Sequence, residues 1–256
     1  MIYVCIPSHN EAATLGPLLW KVRRVMRDFG REFTLVVLDD GSTDDTPEVL
    51  ARYRNKLPLQ LLREESPVGY GAAVDHLLRH VAKVSSYPKR DAAVVLQADL
   101  TEDPEYLVDL VKALEGGADV VAGSAPEAGP EVPRPFRWGR RLAPWVLGRV
   151  YRNSPVPDPL CGVRAYRVIV IKKCLREDDG PLATAPESWV ANLELLRRVV
   201  AYARRVEAVP LTLRYHLLAR ASRFKATQTL KRLFALRSGA WPEPGEAARK
   251  PREEAA

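Results

Sequence analysis

The chain has few cysteines and lacks the apolar runs that mark several protein classes. Its three cysteines, Cys5, Cys161 and Cys174, are far apart and form no CxxC pair, which argues against a disulfide framework and against a zinc site. No stretch of about 18 consecutive apolar residues occurs, so a transmembrane helix is not expected. The first residues also lack the basic start and long apolar core of a signal peptide. We therefore expect a cytoplasmic protein with reduced thiols, and leave open a peripheral position on the inner face of the membrane.

The glycine-rich motifs of the commonest nucleotide-binding folds are also missing. Neither G-x-G-x-x-G nor a Walker A motif follows the first apolar run at 2–6, so a dinucleotide-binding fold and a P-loop enzyme are poorly supported. The net charge of +7 favours an anionic partner such as a nucleotide, a phosphate or an acidic membrane. Because no nucleic-acid recognition motif accompanies this charge, we expect no nucleic-acid partner.

Short apolar runs alternate with segments of helical spacing through the first part of the chain. The predicted strands are 2–6, 33–38, 59–63, 92–96 and 120–122. The predicted helices are 11–29, 44–53, 71–84 and 104–115. Strands that are apolar throughout and alternate with helices indicate a parallel sheet that is covered on both faces. The sequence therefore predicts an α/β fold, with a mostly parallel, doubly wound sheet and helices on both of its faces.

The pattern changes after Ser124. Four prolines at 125–135 predict an exposed loop, and 136–152 combines two tryptophans with five arginines. A basic aromatic helix of this kind is typical of a membrane interface, although a lid packed on its own domain would show the same composition. Further elements are expected at 158–166, 188–202, 206–213 and 219–237.

The composition predicts one folded domain followed by a tail. We place the domain at 1–238, and the change of pattern after Ser124 divides it into a first half at 1–124 and a second half at 125–238. The remainder, 239–256, is polar and rich in proline, so we expect it to be disordered.

Polar residues follow three of the predicted strands. They lie in P-S-H-N-E at 7–11, in D-D-G-S at 39–42 and in Q-A-D at 97–99. In doubly wound sheets, ligands collect at the carboxyl ends of the strands. A carboxylate there can hold a ribose, the imide of a base or a cation. Asp99 could instead cap the following helix, but Asp103 is better placed to do so.

These segments, in this order and spacing, resemble the family 2 glycosyltransferases, which have a GT-A fold. The resemblance is carried by P-S-H-N-E, L-D-D-G-S-T-D-D-T, G-Y-G-A-A and Q-A-D-L-T-E-D-P. Three later segments, D-P-L-C-G-V-R-A-Y, A-N-L-E-L-L-R-R and A-V-P-L-T-L-R, are similar to the branch that contains dolichol-phosphate mannose synthase and bacterial polyprenyl-phosphate glycosyltransferases. The resemblance implies an inverting transfer of a hexose from a GDP- or UDP-linked sugar to a polyprenyl or dolichyl phosphate. It also implies that 1–124 is the nucleotide-sugar-binding half of the domain and that 125–238 is its acceptor-side half.

The resemblance also implies a set of site residues. Those that would contact the nucleotide are Pro7, His9, Glu11, Leu38 and Asp40. Those at the D-x-D motif, which binds the diphosphate through Mg²⁺ or Mn²⁺, are Gln97, Ala98 and Asp99. Asp99 would be the metal ligand. Late arginines that would meet phosphate are Arg214, Arg220 and Arg223.

Two positions depart from the family pattern. Gln97 stands where the motif has its first aspartate, and Ala125 stands where the branch has an arginine that touches the donor. An amide oxygen can coordinate a cation but adds no charge, so we expect weaker metal binding. Four arginines could neutralise the leaving diphosphate instead, namely Arg164, Arg214, Arg220 and Arg223. The same departures leave open reduced activity, or a non-catalytic homologue that only binds nucleotide.

The acceptor decides whether a general base is needed. A lipid phosphate is largely ionised at neutral pH, because its second pKa is about 6, and it can attack the anomeric carbon unaided. A soluble hydroxyl acceptor is the alternative and would need a base, for which Asp158 and Glu194 are candidates. We predict Asp158 and Arg164, which flank Gly162, as catalytic residues together with Asp99. A surface ion pair would explain Asp158 and Arg164 equally simply.

Overall fold

The computed structural model describes residues 1–125, 132–218 and 224–249. The described strands are β1 (Ile2–Ser8), β2 (Phe33–Asp40), β3 (Leu59–Glu64), β4 (Ala92–Val95), β5 (Val120–Ser124), β6 (Arg164–Arg167) and β7 (Val206–Pro210). The described α-helices are α1 (Ala12–Phe29), α2 (Thr46–Tyr53), α3 (Tyr70–Val84), α4 (Tyr106–Glu115), α5 (Arg134–Leu147), α6 (Arg149–Arg152), α7 (Val168–Glu177), α8 (Ser188–Val200), α9 (Ala226–Ala235) and α10 (Glu246–Arg249). A short 3₁₀ turn covers Tyr215–Leu217.

The strands form a single mixed sheet in the order β3-β2-β1-β4-β6-β5-β7. β1 pairs in parallel with both β2 and β4, and β2 pairs in parallel with β3. Only β6 runs against its neighbours, between β4 and β5. The expectation of a mostly parallel, doubly wound α/β fold is therefore confirmed. Because β1, β2 and β4 are parallel and adjacent, their carboxyl ends lie at one edge of the sheet.

Each face of the sheet is covered by its own set of helices. Ile2, Val4 and Ile6 of β1 pack in a core with α1, α2 and α4. Tyr3 and Cys5 point to the opposite face and pack in a second core with α3, α7 and α8. This alternation is the two-residue period of a strand, and it explains why the first strands are apolar throughout.

The predicted helices of the first half are observed. Three of them begin one or two residues later than predicted, and α3 begins one residue earlier. Asp44 Oδ1 accepts the backbone N–H of Thr46, 3.0 Å away, and Asp103 Oδ1 accepts that of Glu105, also at 3.0 Å. These carboxylates satisfy N–H groups that have no partner within the helix. Glu105 is the N-cap residue of α4 and no described side chain caps that helix, so Asp103 holds the N–H of the N-cap residue and does not take the capping position expected for it.

Helix α7 has no counterpart among the predicted elements. It begins with V-I-V-I, and β-branched residues of this kind usually favour a strand. In the structure Val168, Val170 and Ile171 are buried in the core that α7 shares with α3 and α8. Tertiary packing therefore outweighs the local preference here.

The late part of the chain differs from the predictions in several places. The strand predicted at 206–213 ends at Pro210, and the helix predicted within 219–237 is observed as α9, while 219–223 lies outside the described residues. The predicted loop at 125–135 also falls mostly outside them, at 126–131.

The predicted disordered tail is partly folded. The indole N–H of Trp241 donates to the carbonyl of Val150 at 2.6 Å, and the N–H of Ala247 donates to the carbonyl of Ala201 at 3.0 Å. These contacts tie the described part of the tail, 239–249, to the domain, since a tryptophan can bury apolar surface that the composition of the segment obscures. Residues 250–256 lie outside the described part, and the division of the domain into two halves stays a prediction.

Candidate active site

A cleft of ≈ 620 Å³ opens at the carboxyl ends of β1, β2 and β4. Glu11, Asp40 and Asp99, one from each strand end, all line it. Their side chains are buried, with exposed fractions of 6%, 5% and 7%. Three polar segments that are far apart in the sequence therefore meet in one concave site, as the topology of a parallel sheet requires.

The segment after β1 forms one wall of the cleft. Nδ1–H of His9 donates to the carbonyl oxygen of Asp40 at 2.6 Å, which fixes the ring because a carbonyl can only accept. The backbone N–H of Glu11 donates to the hydroxyl of Thr46 at 2.9 Å. The buried hydroxyl of Ser8 has no hydrogen-bond partner among the described residues. A buried polar atom without a partner at the cleft is suited to meet a polar ligand. Pro7 lines the cleft beside it.

The segment after β2 organises the loop that faces it. Asp40 Oδ1 accepts the N–H of Val68 at 2.7 Å, and Oδ2 accepts that of Gly69 at 3.0 Å. A carboxylate held by two backbone donors has a fixed orientation. Leu38, which the resemblance places at the nucleoside, does not line the cleft. Its side chain is fully buried in the core beneath α3, because it points to the face of the sheet that α3 covers.

Beyond β4, the chain makes a tight turn at 97–102. Leu100 has a φ of 63°, in the left-handed region that a leucine rarely adopts. Asp99 Oδ1 accepts the N–H of Thr101 at 3.1 Å and its hydroxyl at 2.6 Å. Glu102, which sequence reasoning missed, accepts the backbone N–H of Gln97 at 2.8 Å and its side-chain Nε2–H at 3.0 Å. The turn thus places two carboxylates, from Asp99 and Glu102, in the same cleft.

The buried position of Glu102 changes its acidity. Burial raises the pKa of Glu102 to about 8, and the nearby charge of Asp99 acts in the same direction. Hydrogen bonds from Gln97 and the positive charge of Arg164 act against this shift. Glu102 is only 2% exposed, so desolvation of its charged form is the main cause.

The oxygen donors of this turn suit a hard divalent cation such as Mg²⁺ or Mn²⁺. They are the carboxylate of Asp99, the hydroxyl of Thr101 and the amide oxygen of Gln97. Within the described residues, no group of three His, Cys, Asp or Glu side chains is arranged to hold a metal. The donor set therefore fits a cation that takes further ligands from a bound ligand or from water. It does not fit a cation enclosed by protein alone.

The other end of the cleft is aromatic, which the sequence analysis did not predict. The rings that line it are Phe136, Trp189, Tyr215 and Phe224. Phe136 lies 4.8 Å from Trp189 and 5.2 Å from Phe224, measured between ring centroids. Aromatic pairs at these distances stabilise each other beyond their burial alone. The only signal in the sequence was the aromatic content of 136–152, which favoured an exposed helix.

Arg140 is the main buried cation of the cleft, and sequence reasoning placed it on a membrane-facing or lid helix. Its guanidinium donates both to Oδ2 of Asp158 and to the carbonyl oxygen of Ala125. Arg140 lines the cleft, while Asp158 is fully buried behind it. The structure therefore does not place Asp158 where it could act as a base on a ligand. The alternative of a surface ion pair with Arg164 is also wrong, because the pair is internal and its partner is Arg140.

Arg164 is likewise absent from the cleft surface. Its side chain is fully buried, and it donates to the backbone carbonyls of Pro159 and Asn192. These bonds tie the segment before β6 to α8. Glu194, the other candidate base, accepts the backbone N–H groups of Thr184 and Ala185. It supports a loop and does not line the cleft.

Of the late arginines, the structure describes only Arg214. Its Nη1 lies 2.6 Å from Asp103 Oδ2, and its backbone N–H donates to the carbonyl of Thr101 at 2.7 Å. It therefore braces the turn that carries Asp99. The predicted phosphate-binding residues Arg220 and Arg223 lie outside the described residues.

Two glycines show how tightly the cleft is built. A Cβ at Gly71 would lie 2.5 Å from the carbonyl oxygen of Ala185, so α3 and the segment before α8 can approach only without a side chain there. A Cβ at Gly162 would lie 3.0 Å from Nε2 of Gln97 and 3.1 Å from Oε1 of Glu102.

Across residues 1–125, 132–218 and 224–249, no helix combines the length and the apolar character that crossing a membrane requires.

Comparison with solved structures supports the fold. The glucosyl-3-phosphoglycerate synthase of Mycobacterium tuberculosis matches with a TM-score of 0.62 and 21% identity, covering 98% of this chain and 93% of that one. Mannosyltransferase PcManGT from Pyrobaculum calidifontis, solved with GDP-Man and Mn²⁺, matches with a TM-score of 0.58 and 19% identity, over 96% of this chain and 67% of that one. These are GT-A fold proteins, and the GT-A architecture is thereby confirmed.

Sequence comparison identifies the family. The undecaprenyl-phosphate 4-deoxy-4-formamido-L-arabinose transferase of Edwardsiella ictaluri is 30% identical over 179 residues, 68% of this chain and 51% of that protein. The dolichol-phosphate mannosyltransferase of Pyrococcus furiosus is 29% identical over 177 residues, 67% of this chain and 47% of that protein. The chain thus spans about half the length of these relatives. The family model for glycosyl transferase family 2 matches residues 3–175, and the chain belongs to that family.

Proposed function

We propose that the protein transfers a hexose from a GDP- or UDP-linked sugar to a polyprenyl phosphate, with inversion at the anomeric carbon. The observation that carries this proposal is the cleft itself. Its polar end combines Glu11, Asp40 and Asp99, and its other end is lined by aromatic rings. The names of the relatives, which include a dolichol-phosphate and an undecaprenyl-phosphate transferase, support a lipid phosphate as the acceptor.

The polar end would hold the donor. Asp40 and Glu11 present carboxylates that can accept from ribose hydroxyls or from the imide of a base, and Ser8 offers a hydroxyl without a protein partner among the described residues. Asp99 would hold the diphosphate through Mg²⁺ or Mn²⁺, assisted by the oxygens of Thr101 and Gln97. The cation would stabilise the negative charge of the departing diphosphate.

Arg140 would supply the positive charge that the protein itself contributes. Asp158 orients its guanidinium from behind, and the carbonyl of Ala125 holds the same nitrogen. The family pattern has its donor-contacting arginine at position 125. In this chain the guanidinium of Arg140 contacts the backbone of Ala125 and so lies next to that position. A guanidinium fixed by a buried carboxylate is suited to bind phosphate oxygens.

The acceptor would enter at the aromatic end. An ionised phosphate oxygen would attack the anomeric carbon from the face opposite the diphosphate, and the bond between that carbon and the diphosphate oxygen would break, with its electron pair leaving on the diphosphate. No base is required, since the phosphate is already ionised. This agrees with the positions of Asp158 and Glu194, neither of which faces the cleft.

The outer face of α5 would rest on the membrane. Trp138, Leu142 and Trp145 follow each other at helical spacing and are 59%, 41% and 81% exposed. Arg137 and Arg141 are exposed on the same face. Exposed aromatic and basic side chains on one helix face are typical of a peripheral contact with an anionic bilayer. Such a contact would bring a lipid acceptor to the aromatic end of the cleft, because Phe136 on the same helix lines that end.

A binding and transfer assay tests the proposal. Calorimetry with GDP, UDP and their sugars, each with and without Mn²⁺, should show binding of one nucleotide. With that donor, a short-chain polyprenyl phosphate should yield a lipid-linked sugar. Transfer to a soluble hydroxyl acceptor in place of the lipid phosphate would contradict the choice of acceptor. Failure to bind any nucleotide would contradict the enzymatic proposal altogether.

A further inference from the structure

The turn at 97–102 contains a carboxylate that the D-x-D pattern does not predict. Both oxygens of Glu102 accept hydrogen bonds from the same residue, one from the backbone N–H of Gln97 and one from its side-chain amide. Glu102 is buried and lines the cleft. The motif lacks a carboxylate at position 97, and Glu102 places one directly against the side chain that stands there.

The backbone is shaped to make this contact. Leu100 adopts a left-handed conformation with φ of 63°, which is strained for a non-glycine residue and persists only where the surrounding structure holds it. This conformation turns the chain back, so that Glu102 reaches Gln97 five positions earlier. Gly162 closes the pair from the other side, since a Cβ there would come within 3.0 Å of Gln97 and 3.1 Å of Glu102. The pair is therefore enclosed and its geometry is defined.

The hydrogen bonds decide which atom of Gln97 remains for a ligand. The side-chain amide of Gln97 presents its Nε2–H to Oε1 of Glu102, 3.0 Å away. Oε1 of Gln97 is then the remaining amide atom, and it accepts no hydrogen bond from the described residues.

We propose that Glu102 is a positioning residue, which holds the amide of Gln97 so that its oxygen serves as a cation ligand beside Asp99. The inference rests on the proposed function, since the cation belongs to the donor site. Glu102 thus supplies the carboxylate that position 97 lacks. It acts by holding the side chain of Gln97 and does not contact the cation itself. Removing a carboxylate that orients a metal ligand in this way typically lowers metal affinity by about 10–100-fold.

A carboxylate restored at position 97 alone would not repair the motif. It would stand at hydrogen-bond distance from Glu102, where the two like charges would repel each other. A carboxylate at position 97 should therefore strengthen cation binding only when position 102 carries the amide. Gln97→Glu combined with Glu102→Gln exchanges the two side chains without changing the composition or size of the pair.

The test measures Mn²⁺ binding directly, by the paramagnetic resonance signal of free Mn²⁺, first with protein alone and then with GDP or UDP. E102Q should lower the affinity for Mn²⁺ about tenfold. The matched control Glu105→Gln removes an exposed carboxylate from the same segment and should leave the affinity unchanged. The exchange variant Q97E/E102Q should bind Mn²⁺ about tenfold more tightly than the unmodified protein, and Q97E alone should not.

The outcomes separate this inference from the proposed function. An unchanged affinity in E102Q, a gain in Q97E alone equal to that of the exchange variant, or no Mn²⁺ binding by either the unmodified protein or the exchange variant would each overturn the role of Glu102. Nucleotide binding and sugar transfer are measured on the same preparations. If these stay intact while E102Q binds Mn²⁺ normally, only the inference about Glu102 fails. Melting temperatures of the single and exchange variants show whether a loss in E102Q comes from unfolding.

Discussion

The two ends of the cleft are built in different ways. The polar end consists of side chains at the ends of β1, β2 and β4. Backbone N–H groups hold two of them, since Asp40 accepts those of Val68 and Gly69 in the loop before α3, and Asp99 accepts that of Thr101. The aromatic end consists of side chains from α5, α8 and the segment before α9, which meet only through packing. The residues of the polar end therefore come from strand–turn units of the first half of the chain. The aromatic end depends on how the helices of the second half pack against one another.

The two ends also use charge differently. At the polar end, the carboxylates of Asp40 and Asp99 line the cleft. At the aromatic end, the carboxylate of Asp158 is fully buried and an arginine, Arg140, lines the cleft in front of it. A carboxylate at the first end can meet a ligand or a cation. At the aromatic end, the carboxylate of Asp158 can influence a ligand only by orienting Arg140. Substitutions at the two ends should therefore have different consequences.

The largest effect is expected at the polar end. Asp99→Asn removes the one motif carboxylate while keeping its shape, and transfer should fall by a factor on the order of 100 to 1,000, because charge stabilisation at the leaving group is lost. The measurement is the rate of sugar transfer, with nucleotide binding followed in parallel. Asp109→Asn, on the exposed side of α4, is the matched control and should be active. An active Asp99→Asn variant would remove this end of the cleft from the reaction.

The next effect should appear in stability. Arg164→Met leaves the carbonyls of Pro159 and Asn192 without their buried donor, and we expect a loss of about 3 kcal/mol in the free energy of unfolding. Urea denaturation measures this, with Arg176→Met on the exposed part of α7 as the control. If Arg164→Met keeps normal stability but loses transfer, the catalytic role predicted for Arg164 from the sequence would stand, and the contrast between the two ends would break down.

The same contrast explains what the sequence could and could not reveal. The polar end was predictable because the residue after a parallel strand lies at the ligand edge, whatever the rest of the fold does. Glu11, Asp40 and Asp99 follow that rule. The pairing of Glu102 with Gln97 was not predictable, because it requires a left-handed leucine at position 100, which no local pattern announces.

At the aromatic end, the sequence offers only segments, without their relative positions. Asp158 and Arg164 lie close together in the sequence, which suggests that they pair, but the structure pairs Asp158 with Arg140 on α5. Phe136 and Phe224 come together although Phe136 lies on α5 and Phe224 lies in the segment before α9. Such contacts depend on how α5, α8 and α9 pack on one another, and a single sequence does not contain that information in its local patterns.

A moderate effect is expected for Arg140. Removing it alone would leave Asp158 buried and unpaired, so the useful variant is Arg140→Met with Asp158→Asn, which keeps the site neutral. Affinity for a phosphate ligand should fall about tenfold, the typical value of a charge-assisted hydrogen bond. Calorimetry with GDP or UDP and with a short isoprenyl phosphate shows which phosphate Arg140 meets.

The neighbouring arginine provides the control for this experiment. Arg141 lies beside Arg140 on α5 but is exposed, and Arg141→Met should leave both affinities unchanged. If Arg141→Met weakens phosphate binding as much as the double variant at Arg140 and Asp158 does, the overall positive charge of α5 would account for the affinity, and the orientation of Arg140 would not. The distinction between buried and exposed charge at this end of the cleft would then disappear.

The smallest effect on the folded protein, and the sharpest test of the outer surface, is expected for Trp145. Its side chain is 81% exposed, so Trp145→Ala should change the free energy of unfolding by no more than about 0.5 kcal/mol. Binding to anionic phospholipid vesicles should nevertheless weaken, because an interfacial tryptophan buries apolar area in the headgroup region. Co-sedimentation with anionic and neutral vesicles measures this, and Trp20→Ala on α1, where the ring is 55% exposed, is the control on a different face. Equal losses of vesicle binding in both variants would mean that exposed aromatic area alone drives binding. A loss confined to Trp145→Ala assigns the membrane contact to α5, the helix that also places Phe136 in the cleft.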